Sequence, residues 1–491
     1  MLEASRLIAG LAVAAAGLLP ASWAGAAAMG PKEAYHLLNR AGFGATPQEV
    51  AQYARLSRAQ AVDKLFRESV AAATTPPPES ALEYLPPGRL RGMSEEERKA
   101  LFREQRETAI DLRGWWVREM LATPSPLSER MTLFWHNHFV SSLQKVKSAK
   151  LMYRQNELLR RHALGNFRTL LHAVAKDPAM LIYLDSATNR KEQPNENFAR
   201  EVMELFTLGE GRYTERDIKE AARAFTGWSL DPRSGEFLWR MGIHDHGVKT
   251  VLGRTGDFDG DAVLDILLAQ SHTAEFIVEK LWREFISPVP DPAEVRRVAW
   301  GFRNSGYEIK TALRELLLSW AFWAQENRGV LVKSPVDWVV GSLRQFGFQV
   351  ADPLPFVFVL RQLGQDLFAP PNVKGWPGGE AWINSATLLA RKQFAERLFR
   401  ADASMTAGMP PAPGERSRTA GKSADAGRER LLRAVRELRF DSRLWLAETE
   451  RAGLTPEAVM LATAPERESV PQAQGIQRIR LLALDPAYQV K

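Results

Sequence analysis

Four of the eight histidines stand in two His-x-His pairs, His136/His138 and His244/His246. Imidazole suits proton transfer near neutral pH and ligation of a transition metal, so these two clusters are the first place to seek chemistry. Between them, residues 195–209 carry Glu196, Glu201 and Glu204 among the helically spaced Phe198, Val202, Leu205 and Phe206. Spacing decides what each group can reach. On a helix, positions i and i+2 lie about 200° apart and cannot face one ion, whereas on a strand they share a face. Leu127, Met131, Phe134, Trp135, His138 and Phe139 follow the helical repeat. His138 therefore lies on the apolar face, and His136 points away. His138 is then either a base or ligand reaching into a cleft or a core histidine with satisfied hydrogen bonds.

His244, Asp245, His246 and Gly247 fall in a turn-rich stretch, where both histidines can project together or simply line a surface loop. Lys249 nearby suits an anionic group. Glu196, Arg200 and Glu204 form an i, i+4, i+8 ladder whose ordinary meaning is a pair of surface ion pairs, each worth about 0.2–0.5 kcal/mol. Glu201 differs, because it flanks the apolar face beside Phe198 and Val202. A carboxylate at such a boundary must be paired, metal-bound or shifted upward in pKa. Glu201, His138 and His244 are thus the expected catalytic set, converging from their separate segments. His136, Asp245 and Glu204 are the candidate ligands for a divalent metal.

Asp257, Asp259 and Asp261 resemble the start of a calcium loop. However, Ala262 stands where an EF-hand needs Gly, and Leu268 where it needs Glu. Asp261 reads more simply as the N-cap of a helix over 262–268. Among fourteen tryptophans, Trp228 and Trp376 adjoin Gly/Pro-rich residues and can present indole faces to sugar rings, although helical cores also absorb Trp. Residues 368–379, rich in Pro and Gly, form a rigid loop of the kind that carries binding groups.

The elements that must position these groups are mostly helices. Amphipathic stretches cover 103–121, 127–139, 151–175, 196–208, 261–287, 294–303, 309–324, 333–347, 355–365 and 384–400. Thr214 and Asp217 form a capping-box variant that starts another helix. Residues 229–260 are mixed, with a turn at 231–235 and short strands near 237–240 and 250–252. The expected fold is mainly α: a large multi-helix domain over 30–401 with a small irregular or β excursion near 229–260. The Ser/Ala/Gly/Pro-rich 402–427 reads as a flexible linker or insertion. A C-terminal helical segment, 428–491, needs a partner surface for Leu431, Leu432, Val435 and Leu438 and is expected to pack on the main domain.

The 491-residue chain, 45% hydrophobic and 25% charged, has the composition of a globular protein. No cysteine is present, which excludes disulfides, Cys-ligated zinc, iron–sulfur clusters and thiol nucleophiles. A net charge of +7 suits an anionic partner, but Lys and Arg are interleaved with acids, which argues against nucleic acid. Arg6, the apolar run 7–19 and the small residues around Ala24–Ala26 predict a signal peptide over 1–26 and a periplasmic or secreted protein. The run is short for a span of about 20 residues, and an uncleaved anchor is the alternative. Together these features point to an envelope hydrolase acting on a glycan or another anionic polymer, with Glu201 as general acid or base.

Several stretches also resemble a bacterial family of unknown function, the domain numbered 1800. They are 36–44, 130–139, 195–208, 213–228, His244-Asp245 with Gly247 and Lys249, 370–376 and 484–489. The resemblance spans about 32–400 plus the tail. It implies an exported or envelope protein, often encoded beside a second exported family of sulfatase-like type, and no established reaction. It also implies a rival role as a non-catalytic scaffold or binding partner of that co-exported sulfatase-like protein. In the family pattern His244 is usual and position 246 varies, which favours His244 with Asp245 over the second histidine pair.

Overall fold

The computed structural model describes residues 27–90, 92–400, 433–434, 437–470 and 472–491. The expected signal peptide and the 402–427 linker lie outside the described residues. Regular structure is mainly helical, with two two-stranded antiparallel sheets between residues 228 and 256. None of the described helices is long and apolar enough to cross a membrane.

The helix Pro126–His138 runs through the core. Pro126 opens it where no N–H is needed, and Leu127, Met131 and Trp135 are buried, as are Glu129, Arg130, His136 and His138. A helix buried on nearly every face must pair its charges. Glu129 accepts from Arg160 and, at 3.0 Å, from the Trp116 indole N–H. Arg130 donates to the Gly42 carbonyl, to Asp337 and, at 3.2 Å, to Glu284.

The carboxylate-rich helix departs from the uniform helix expected over 196–208. It is α-helical over Glu196–Glu201 and then widens into a π-helical turn over Val202–Thr207. Leu208 N donates five residues back to Met203 O at 2.8 Å, and Thr207 Oγ1 to Val202 O at 2.6 Å. Gly209 ends the element at φ +83°, the left-handed conformation that glycine adopts without strain. The Thr214–Asp217 capping box is present and starts Glu215–Ala224.

The mixed segment forms two hairpins, β1 (Trp228–Leu230) with β2 (Phe237–Trp239) and β3 (Lys249–Val251) with β4 (Arg254–Gly256). The second closes on Leu252 and Gly253, both at positive φ, as a tight type I′ turn requires. The next helix, Gly260–Ala269, is capped by Asp259, which accepts from Ala262 N at 2.9 Å. The expected cap, Asp261, lies inside that helix, where its carboxylate takes His172 and Lys176 instead.

The described part of 437–491 shares one core with the rest. Leu331 and Lys491 exchange backbone hydrogen bonds, Trp445 Nε1 donates to Gln345 O, and the Tyr488 hydroxyl meets Ser342 and Gln345.

Candidate active site

The π turn leaves the carbonyls of Leu205 and Phe206 outside the ordinary helical ladder, at a helix end that favours positive charge. Two side chains meet them. Lys280, on the helix Ser271–Phe285, places Nζ 2.9 Å from Leu205 O and 3.0 Å from His138 Nδ1. His138 Nε2 lies 3.1 Å from Phe206 O. An ammonium can only donate, so Nδ1 accepts from Lys280 and Nε2–H donates to the carbonyl. Burial, then the Lys280 charge, holds His138 well below its ordinary pKa. Rings of Phe134, Trp135, Phe139, Phe206 and Phe276 surround it. Burial, with Arg283 adding repulsion, pushes Lys280 down to about 7.

Lys280 and His138 line a cleft of about 510 Å³, together with Arg283, Lys374, Trp376 and Trp382. Arg130, Asp337, Glu284 and Lys491 line it too. Burial alone would raise Asp337, but Arg130 and Lys491 outweigh it and keep the carboxylate ionised. The loop bearing Trp376 is fastened to the core helix: Asn137 Oδ1 accepts from Trp376 N at 2.7 Å. Gly375 has φ +90°, and a Cβ there would come within 2.3 Å of that same oxygen.

His136 faces the other way, as helical spacing requires, and packs edge-on against Trp116 with Phe368 and Trp376 beside it. Neither ring nitrogen has a hydrogen-bond partner among the described residues, and burial lowers its pKa to about 3. Among the described residues, His136 belongs to no group of three His, Asp or Glu side chains close enough to hold one ion, so this geometry does not bring it together with the other expected ligands.

Glu201 is half-buried. Burial and then Glu204 raise its pKa, while Arg200 and Lys374 oppose the rise. It does not line the cleft, and it senses it only through Lys374. Glu204 is occupied by the Tyr213 hydroxyl at 2.8 Å, and Arg200 pairs with both Glu196 and Glu215.

His244 lies elsewhere. Its Nδ1 is 2.8 Å from Thr226 O, and its ring contacts Trp239 and His246. Asp245, expected beside it as a ligand, is instead held by Arg223 Nε and Nη2 at 2.7 and 3.1 Å, which lowers its pKa. Lys249, expected to bind an anion, is fully buried and already donates to Gly247 O and Asp257 Oδ1. Trp228 is 1% exposed, enclosed by Phe198, Phe225 and Phe237, and presents no platform to a sugar.

The expected convergence of His138, Glu201 and His244 therefore gives way to separate surroundings, since no hydrogen bond, ion pair or ring contact joins them among the described residues. The reason is the length of one helix. Phe206 meets His138, whereas Phe198 packs on Phe225 and Trp228, beside the Thr226–Gly227 ledge that carries His244. Eight residues separate those two positions, at most about 12 Å at the α-helical rise of 1.5 Å per residue. What the structure does bring together is His138 with Lys280 and Trp376, and His244 with His246 and Asp257. Lys280 was not singled out in the sequence, and Asp257 was read only as part of a calcium-loop look-alike, not as a partner of the histidines. The signal for Lys280 was a lysine between Ile277 and Leu281, at the edge of a buried stripe.

No curated protein and no solved structure matches the chain. One family model does, described as protein of unknown function (DUF1800), and it matches residues 36–490. With nearly the whole described body inside that match, the chain belongs to the DUF1800 family.

Proposed function

We propose that this protein is an exported envelope hydrolase that lays an anionic polymer in the Lys280 cleft and cleaves ester or phosphodiester links in it. The supporting observation is the Lys280–His138 contact at 3.0 Å inside a cleft that also holds Arg283, Lys374 and two tryptophans. An amine near neutrality can take a proton from an attacking water and return one to a leaving oxygen. His138, with its Nε2–H held by Phe206 O, keeps its Nδ1 lone pair aimed at Lys280 and is a positioning residue. Arg283 and Lys374 suit acidic groups along the chain, and Trp376 and Trp382 offer apolar walls. Glycosidic cleavage is less favoured. It ordinarily needs two opposed carboxyl groups, and the cleft's two, Glu284 and Asp337, are both engaged by Arg130. Export rests on the N-terminal segment 1–26.

The test is release of acid or phosphate from isolated envelope polymers by the purified protein, compared with Lys280→Met and His138→Phe. Turnover lost in Lys280→Met and sharply reduced in His138→Phe supports the reading. No turnover by the wild type, or turnover unchanged in both variants, refutes it. The scaffold reading, with a co-exported sulfatase-like protein as partner, is favoured by the surface tryptophans Trp300 and Trp320, 72% and 61% exposed. Co-purification of that partner, abolished by substituting both tryptophans and insensitive to Lys280→Met, would support it.

A further inference from the structure

A second site lies on the hairpin segment, away from the cleft. His244 follows a short 3-10 turn in an extended conformation, φ −78° and ψ 143°, so His246 projects to the same side. The two rings stand at 82° with centroids 4.8 Å apart. Asp257, just after β4, reaches over from the second hairpin, its Oδ2 4.0 Å from His246 Nδ1. One donor atom from each of the three residues lies within 4.8 Å of the others. Ligands at about 2.1 Å around a tetrahedral ion are about 3.4 Å apart, so side-chain adjustments of around an ångström close the set.

The surroundings hold the donors in place. Thr226 O accepts the Nδ1–H of His244 at 2.8 Å, which fixes the tautomer and leaves Nε2 as the free lone pair. A backbone carbonyl on the distal nitrogen is the usual support of a metal-bound imidazole. Gly227, at φ +88°, lets His244 sit this close, because a Cβ there would come within 3.2 Å of the His244 Cβ. Between the histidines, Asp245 is clamped by Arg223 and accepts from Gly247 N at 2.8 Å. The buried Lys249 ammonium holds Asp257 Oδ1 at 3.0 Å and leaves Oδ2 free. That same ammonium cancels the carboxylate charge, which disfavours hard oxygen-seeking cations such as Ca²⁺ and Mg²⁺. Two imidazoles and one oxygen suit zinc.

We infer that His244 Nε2, His246 Nδ1 and Asp257 Oδ2 form a three-residue site for a divalent transition metal, zinc being the best match, with water completing the coordination. His246 and Asp257 are more than half exposed, so the remaining positions face solvent. Three protein donors with an open position are the pattern of a zinc ion available to polarise a ligand. This inference is independent of the cleft and of Lys280.

The test is titration of chelator-treated full-length protein with zinc chloride by calorimetry, and with Co²⁺ followed by its visible d–d absorption. The expected result is one equivalent bound at micromolar affinity or better, with the intensity of a tetrahedral cobalt centre. His246→Ala and Asp257→Asn are expected to weaken binding about a hundredfold, with the metal-free melting temperature unchanged in His246→Ala and lowered in Asp257→Asn, which removes the charge facing buried Lys249. His272→Ala, at a partly exposed histidine outside the cluster, leaves binding intact. Absence of zinc binding, or a loss below about tenfold in both ligand variants, overturns the assignment.

Discussion

Lys280 makes a sharp prediction, because burying an ammonium leaves a signature in the pH dependence of stability. Its pKa falls from 10.5 to about 7 on folding, through desolvation and then Arg283. Below pH 7 both folded and unfolded chains carry the proton, and the cost of burying the charge is fully present. At about 1.4 kcal/mol per pKa unit that cost is about 4–5 kcal/mol. Between pH 7 and 10.5 the unfolded chain binds more protons than the folded one, so stability rises with pH and the cost fades. From pH 7 to pH 9 the wild type should gain about 2 kcal/mol relative to Lys280→Met, which lacks the titrating group. Other groups that titrate on folding, Lys333 among them, occur in both proteins and cancel in the difference. Urea denaturation at half-unit pH steps, with equal m-values in the two proteins, measures it. Stability curves that stay parallel from pH 6 to pH 9 would refute the buried-ammonium argument, and with it the case for Lys280 as a proton carrier.

Glu129→Ala removes the buried partner of the fully buried Arg160 guanidinium, leaving it Glu157 alone, and strands the Trp116 indole N–H, so it should cost about 3–5 kcal/mol by denaturant unfolding; a loss below about 1 kcal/mol contradicts the pairing. His136→Phe replaces a buried ring whose nitrogens have no hydrogen-bond partner. It should be neutral or stabilising by about 1–3 kcal/mol, and a large loss of stability would mean that a water or ion satisfies those nitrogens. Gly375→Ala meets both a positive φ and the Asn137 oxygen, and should cost about 1–3 kcal/mol and expose 370–379 to protease. Unaltered cleavage there would show that the loop does not depend on this close approach. Binding of a polyanion in the cleft should fall with added salt and with Lys374→Ala, as measured by calorimetry with polyphosphate.

Helical spacing was enough to send His136 and His138 to opposite sides, because a repeat near 3.6 leaves no other outcome. The same local reasoning located the Thr214–Asp217 capping box and the mainly helical class, and its short strands near 237–240 and 250–252 overlap two of the four strands, 237–239 and 249–251. It could not show that positions 198 and 206 lie at opposite ends of one helix, each facing a different neighbour. For that reason His138 and His244 looked like partners. Nor could it show the widened turn at 202–207, whose residues are ordinary helix formers and whose geometry is set by what they pack against. Asp259 took the capping role expected of Asp261 because the helix starts two residues earlier, which freed Asp261 for His172 and Lys176. Lys249 and Asp245 carried the right chemistry for binding anions and metals. Asp257, across the hairpin from Lys249, and Arg223, on the preceding helix, had already claimed them.

The widened turn at 202–207 makes chain length itself a determinant of the cleft. A π turn holds one residue more than the α turn it replaces. Deleting a single residue there would restore an ordinary ladder and re-aim the carbonyls within the turn, while the flanking segments stay nearly in phase. The Leu205 and Phe206 carbonyls would swing away from Lys280 and His138, although neither polar side chain had been changed. Variation by insertion or deletion at this point could therefore alter the setting of the lysine–histidine contact while both side chains are retained, which no substitution of either one can do.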